Sequence, residues 1–397
     1  MGSIALDPAV TAVRRRGDLL FAVAVALVYV GLSILFVLLV HGADDRMMTL
    51  AERLTQGRLD DPSFAGTVDS ATVGGRSYVV VGPMQVILFL PFVPFPGLYH
   101  IAGFVIGPTV GAAAALAALP LVRAYGARDA TAYWLAAFTA FGSLLLFVSV
   151  EGDFYYLAQA ESFLCLELFL IEWAGRRRPI LLGIALGLSF LARPTTLLAA
   201  IPFGLAFLWQ SRFRIGAAIR LGAPIGLAVL GYGLFNAARF GSPLQSGYGI
   251  AVLMNDRLDA LRAGGLFSIG HIPENLRLAA LDLPAISTRY PFIAPDPNGM
   301  SMALVSPALV MALRAGVGLG DRLLLWAAVI LIAIPVFTYY GGGVVQYGYR
   351  YSLDLTPFLI ALMAIGTRSG IGWLGRGLIA VSIVSVVLGS IWRMQVF

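Results

Sequence analysis

The run LLFAVAVALVYVGLSILFVLLV (Leu19–Val40), followed at once by HGADDRMMTLAERLTQG (His41–Gly57), decides how this chain is read. The first stretch carries no charge and is long enough to cross the roughly 30 Å hydrocarbon layer as a helix. Arg14, Arg15 and Arg16 precede it and no small-residue cleavage site follows, so it reads as a retained span with a cytoplasmic N-terminus. In the second stretch, Asp44 and Asp45 stand where the chain leaves lipid. From Asp45 to Gln56, Met47, Leu50, Ala51 and Leu54 share one helical face, and Arg46, Thr49, Glu52 and Arg53 share the other. That pattern predicts a helix lying in the membrane interface, stopped by Gly57.

Working outward, further spans are expected near His100–Val122, Thr131–Val150, Phe154–Trp173, Pro179–Leu191, Thr195–Trp209, Ala217–Ala237, Ser301–Leu313, Leu323–Tyr339, Tyr351–Ile365 and Ile371–Ile391, about eleven in all. Their alternation puts Arg123, Arg128, Arg176, Arg177, Arg178, Arg212, Arg214, Arg314, Arg322 and Arg368 on the cytoplasmic side. It leaves the short outer turns with Arg193, Arg350 and Arg393 alone. Two segments, about 41–99 and 239–300, fail as spans, fall outside and hold most of the acidic residues. Within the first, GPMQVILFLPFVPFP (Gly82–Pro96) is apolar but too short and proline-rich to cross, and reads as a re-entrant or interfacial element. The expectation is an all-α integral membrane protein whose residues 1–397 form one transmembrane domain, with interfacial helices in the two outer loops and no internal repeat.

Composition agrees with lipid as the main solvent: 59% of residues are hydrophobic and 12% charged. The single Cys165 excludes disulfides and cysteine-ligated metal. The net charge of +6 reflects arginines in short loops, so nucleic acid is not an expected partner. All 27 basic residues are arginine, which removes lysine-dependent chemistry and leaves anion binding to guanidinium or backbone.

Several residues stand where chemistry is expected. Asp44 or Asp45 could act as general base on an acceptor hydroxyl, while one of them could equally be the N-cap of the following helix. Glu151 and Asp153, with Tyr155 and Tyr156 just after, could bind sugar hydroxyls or a metal, or form an ordinary interfacial turn. Glu161, about two turns into a span, is costly there unless it lines a cavity. Glu167 and Glu172 lie deeper and are expected to pair with Arg176 or Arg177. Arg193, beside the helix-breaking Pro194, and Arg350 could each neutralise a leaving phosphate, although Arg350 could instead pair with Asp354 one turn away. His41, His100 and His271 are dispersed, and no HExxH, zinc-knuckle or P-loop lysine motif is present. A divalent metal held by carboxylates is left open.

Taken in order, ADDRMMTLAERLTQGRL, GRSYVVVGPMQ, LARPTTL, RFGSPLQSGYG and YGYRYSLDLTP resemble elements of the GT-C superfamily of membrane glycosyltransferases. The likeness is to bacterial relatives of the dolichyl-phosphate-mannose protein mannosyltransferases and of the lipid A aminoarabinose transferase. It implies an inverting transfer of sugar from a polyprenyl-phosphate donor to a glycolipid, glycan or protein acceptor at the outer face of the cell membrane. It implies Asp44 or Asp45 as the catalytic carboxylate. Relatives commonly carry a lysine in the stretch corresponding to Tyr78–Gly82, where this chain has Val79, Val80 and Val81. Donor phosphate binding then falls to Arg76, Arg193 or Arg350, and substrate contact to Gln85, Glu151, Asp153, Glu161, Tyr248 and Tyr347. Two rivals remain: a lipid or solute transporter, to which an intramembrane glutamate and broken helices are equally suited, and a non-catalytic partner of a glycan-assembly enzyme.

Overall fold

The computed structural model describes residues 8–39, 44–150, 152–286, 288 and 293–396. Among them the chain is mostly helical, and six helices are long and apolar enough to cross a membrane: Arg15–Leu39, Pro96–Ala124, Phe154–Ala174, Ile215–Phe240, Asp321–Thr338 and Trp373–Arg393. Each corresponds to an expected span. The other expected spans take shorter forms. Pro179–Ala192 (α8) and Thr356–Gly366 (α15) are short helices, and residues 194–210 form a 3-10 turn running into α9 (Ala200–Gln210). Residues 301–315 form one helical turn, α13 (Met302–Val305), and a 3-10 segment.

The expected span Thr131–Val150 is broken into α5 (Asp129–Ala137), a π-turn and α6 (Leu145–Ser149). Within the break, Ser143 Oγ donates to Thr139 O at 2.7 Å and Ser306 Oγ to Gly142 O at 2.8 Å. Side-chain hydroxyls thus serve carbonyls that an unbroken helix would have paired, which is how irregular backbone is tolerated inside a bundle. A similar break at Pro194 separates α8 from α9, where Thr196 Oγ1 donates to Arg193 O at 2.7 Å.

The first helix, α1 (Pro8–Leu39), buries Val25, Tyr29 and Phe36 along one stripe and leaves Leu20, Leu27, Val30 and Leu38 exposed, as a span at the lipid boundary requires. Small residues let the helices approach closely. A Cβ at Gly111 of α4 (Tyr99–Ala124) would lie 2.2 Å from Ser149 Cβ, and one at Gly183 of α8 would lie 2.3 Å from Leu221 O of α10 (Ile215–Phe240).

The long loops meet at one end of the bundle, the loop end. In the first, α2 (Arg46–Thr55) forms where its periodicity predicts. Its apolar stripe is not left for lipid, however: Met47, Met48, Leu50 and Ala51 are buried against Phe64, Val86, Phe89, Ala102 and Leu157. The segment after Gly82 is short and non-spanning as expected, with α3 (Pro83–Phe89) followed by 3-10 turns. Between them lies a hairpin that helical periodicity did not foretell, β1 (Ser70–Val73) and β2 (Arg76–Val79). The second loop pairs onto it: Asp69 N–H donates to Val252 O at 2.8 Å and Val252 N–H to Ser70 O at 2.8 Å. Gly247, at φ +87°, closes the junction, where a Cβ would lie 2.9 Å from Val80. Helices α11 (Asp256–Ala263) and α12 (Ile272–Ala280) complete that loop, and Asn275 Nδ2 ties α12 to the end of α14 (Asp321–Thr338) by donating to Phe337 O and Tyr339 O. A short strand pair, β3 (Ala285–Ile286) and β4 (Ile293–Ala294), precedes the last helices, which end with α16 (Trp373–Val396).

At the opposite end, Arg123 pairs with Asp18, Arg178 with Glu172 and Arg177 with Asp321, while Arg368 donates to Tyr125 O. Arg123, Arg177, Arg178 and Arg368, all assigned to the cytoplasmic side, therefore gather at one end of the molecule.

Candidate functional site

Where the chain enters α2, the two aspartates divide. Asp44 accepts from the Arg46 backbone N–H at 3.0 Å and from Arg46 Nε at 2.8 Å, and is also ion-paired to Arg46 Nη2. Asp45 occupies the N-cap position but makes no side-chain capping bond, and its carboxylate is exposed. The cap-like contact thus belongs to Asp44, and that residue faces inward. Arg46 reaches past it to Val68 O and to the Tyr155 hydroxyl at 3.2 Å, with its guanidinium 4.9 Å from the Phe154 ring centre.

Tyr155 and Tyr156 begin α7 (Phe154–Ala174), immediately after Asp153 at its N-cap position. The charges of Asp153, Arg46, Asp69 and Asp44 all bear on the Tyr155 hydroxyl. Asp69, which sequence reasoning did not single out, stands just before β1 in a left-handed backbone conformation, φ +58°. Aspartate tolerates that conformation better than most residues, but its occurrence leaves no sequence signature. Burial pushes the Asp69 carboxyl above the usual carboxylate range, with Arg350 and Arg46 pulling the other way. No described residue hydrogen-bonds or ion-pairs its side chain.

Arg350 closes the site from the loop before α15. Its side chain is 7% exposed and lies among tyrosines, with ring centres of Tyr156, Tyr351 and Tyr155 at 5.0, 5.1 and 5.9 Å. Nη1 donates a long bond to Tyr155 O at 3.4 Å, and Nε has no partner among the described residues. No described carboxylate forms an ion pair with it. The alternative pairing with Asp354 is not made. Asp354 instead receives Arg193 Nη2 at 2.8 Å and Thr195 Oγ1 at 2.9 Å. A 3-10 turn, Arg350–Asp354, turns the aspartate away from Arg350 and toward the α8–α9 break. Arg193 is therefore neutralised, and also lies 5.1 Å from the Tyr351 ring centre. Tyr248 is half-buried, within electrostatic reach of Arg193, Asp69 and Tyr351.

Other expected site residues go elsewhere. Arg76 is exposed near the hairpin turn, where its charge acts on Asp60. Tyr347 points into the bundle, its hydroxyl 2.9 Å from Ser385 Oγ. Gln85 and Glu161 are buried and bonded to each other, Gln85 Nε2 donating to Glu161 Oε2 at 2.7 Å. Each keeps one oxygen without a partner among the described residues. Glu172 pairs with Arg178 rather than Arg176 or Arg177, and Glu167 is buried with neither oxygen bonded to a described residue. Glu151 and His41 lie outside the described residues. Among the described residues, no three His, Cys, Asp or Glu side chains come together as a metal-holding group.

Arg239, at the end of α10, was also not foreseen. It is buried, stacks 3.8 Å from the Phe235 ring centre, and donates to Val79 O at 2.8 Å and Val81 O at 3.1 Å. A cation thus does serve the Val79–Val81 stretch, from a distant helix, but its donors are engaged by backbone.

No family model matches the sequence, and no curated protein does. The fold, by contrast, matches solved structures. One is the archaeal oligosaccharyltransferase AglB from Archaeoglobus fulgidus, in complex with an inhibitory peptide and a dolichol-phosphate. The two agree with a TM-score of 0.52 at 17% identity, over 96% of this chain and 56% of that one. The chain thus has a GT-C-like fold and spans little more than half the length of that neighbour.

Proposed function

We propose that this protein is an inverting glycosyltransferase that moves a sugar from a polyprenyl-phosphate carrier to a hydroxyl of a glycolipid, glycan or protein at the outer face of the membrane. The observation that carries the reading is Arg350: a buried guanidinium without a carboxylate partner among the described residues, ringed by tyrosines, whose charge bears with that of Arg46 on Asp69. A buried cation is costly unless matched, and an anionic phosphate entering the tyrosine cage would match it through the guanidinium fork. That the structural neighbour was solved holding a dolichol-phosphate supports a lipid-phosphate donor here.

In this reading Asp44, oriented by Arg46, takes the proton from the acceptor hydroxyl. The acceptor oxygen then bonds to the anomeric carbon as the bond to the phosphate oxygen breaks. The bonding pair leaves with the polyprenyl phosphate, whose added charge Arg350 stabilises, so no separate acid is needed. Attack opposite the leaving group inverts the anomeric configuration. Arg193, already neutralised, braces Tyr351 rather than binding donor. Asp69 sets the spacing of Arg46 and Arg350 through its charge. The carrier chain lies along the exposed apolar side chains of the Gly82–Pro96 element, such as Ile87 and Phe95.

The test is to incubate purified protein with a panel of polyprenyl-phosphate sugars and membrane glycolipid extract, following polyprenyl phosphate release and product anomeric configuration by NMR. Release with inversion is expected. Consumption of no donor, or retention of configuration, would overturn the proposal.

A further inference from the structure

At the end of the bundle remote from Arg350 lies a recess of about 470 Å³ that the proposed reaction does not use. Arg314, Arg322, Arg368 and Asp321 line it, where the 3-10 segment ending at Ala315, the start of α14 and the end of α15 converge. Gly366 lets the end of α15 pack directly on the 3-10 segment at the floor of the recess: a Cβ there would lie 2.7 Å from the Ala315 backbone nitrogen.

The guanidiniums outnumber the carboxylate, and the carboxylate is engaged. Asp321 accepts from Trp173 Nε1 at 3.0 Å and faces a further arginine, Arg177, at 3.8 Å. Two of the lining arginines are tethered by single bonds to backbone, Arg322 Nη1 to Ala315 O at 3.1 Å and Arg368 Nε to Tyr125 O at 3.0 Å. The donors that remain on them, and all those of Arg314, bond to no described residue. A concave site presenting excess guanidinium has the donor geometry that suits a phosphate. Its surroundings are apolar: Leu319 lines the recess and is 86% exposed, and Leu313 and Leu323 beside it in the chain are exposed as well. Water would not favour those side chains, whereas acyl chains would.

We propose that this recess binds the phosphodiester headgroup of an anionic phospholipid, from the leaflet opposite the one that serves the Arg350 site. The lipid's phosphate sits between Arg314 and Arg368, and its acyl chains cover Leu313, Leu319 and Leu323. This inference stands independently of the glycosyl-transfer reading.

The experiment is native mass spectrometry of the full chain after delipidation, titrated separately with phosphatidylglycerol and with phosphatidylcholine of the same acyl chains. Phosphatidylglycerol is expected to bind at least about tenfold tighter, from the roughly 1 kcal/mol that each arginine near a headgroup contributes. In the Arg314→Gln/Arg368→Gln protein that binding should weaken on the order of 30-fold, about fivefold per guanidinium removed. A control, Arg212→Gln/Arg214→Gln, removes charge outside the recess and should leave it unchanged. Thermal unfolding monitors the fold, and the single Arg314→Gln, at an exposed and unbonded side chain, replaces the double variant if that one unfolds. Equal binding of the two lipids, or an equal loss in the control, would overturn the site. Displacement of phosphatidylglycerol by millimolar inorganic phosphate would overturn the lipid as its source in favour of a soluble anion.

Discussion

Arg193 and Arg350 are both placed at the loop end, both lie about 5 Å from the Tyr351 ring, and both were candidates for binding a donor phosphate. Their surroundings separate them. Arg193 is held by Asp354, whose side chain is 1% exposed, and that aspartate is further bonded by Thr195. Arg350 has tyrosine faces and a long bond to a carbonyl but no carboxylate among the described residues. The comparison teaches that an arginine's role is set by what already neutralises it. In the proposed reaction the paired guanidinium is part of the scaffold, and the unpaired one is available to an anion that comes and goes.

The strongest way to break this contrast is Arg350→Gln. Removing a donor aimed at charge that develops in the transition state costs on the order of 10³-fold in turnover. Stability should change little or improve, because a buried, unmatched charge is lost with it. Polyprenyl phosphate release and thermal unfolding in the same detergent check both halves. Inactivity accompanied by marked destabilisation would instead make Arg350 a structural residue.

Arg193→Gln should behave in the opposite way. It leaves Asp354 buried without its cation, which costs about 3 kcal/mol of stability. The double change Arg193→Gln/Asp354→Asn removes both charges and should recover most of that loss. If Arg193→Gln were stable but failed to bind donor, the assignment of the two arginines would be reversed.

A smaller effect sharpens the base assignment. Asp44→Asn should reduce turnover on the order of 10²-fold, the usual contribution of a general base. Asp45→Asn, at an exposed carboxylate without a described partner, should stay within about twofold of wild type by the same reasoning. Initial rates at saturating donor separate the two, and equal losses would show that both aspartates act.

How much of this was legible in the sequence depends on the range of the interaction involved. The span Leu19–Val40, the α2 stripe, the break at Pro194 and the non-spanning Gly82–Pro96 element depend on local periodicity or on proline. All of them were readable. The hairpin of β1 and β2 turns locally at Gly74 and Gly75, at φ +58° and +77°, a signal that a reading by helical periodicity passes over; only its pairing with Val252, across the whole of α4 to α10, lies outside any window of sequence. The arginine pairings failed for the same reason. Asp354 lies one helical turn from Arg350 only if the segment is α-helical. The 3-10 turn and the α8–α9 break give it to Arg193 instead, a residue 161 positions away. Asp69 was invisible because its importance comes from burial and a left-handed backbone, neither of which a lone aspartate advertises.

Asp69 supplies the mildest test. Its carboxyl is pushed up by burial, so the folded state gives up that proton at a higher pH than the unfolded state does. Between the ordinary carboxylate pKa and the raised folded one, the native protein binds more protons, and stability must fall as pH rises through that window. Below the window the contribution is fully present, and above it the cost of the buried charge is constant. Asp69→Asn cannot ionise, so its unfolding temperature should lack this component and lie above wild type at neutral pH, converging as the pH is lowered. Activity should fall at the same time, chiefly as a raised KM for donor, because Arg46 and Arg350 lose the charge that spaces them. A variant that gains stability while losing donor affinity is the signature of a site strained for function. If the pH dependence of the two proteins ran in parallel, Asp69 would be ionised and matched in the native state, and Arg350 would already have its counter-charge.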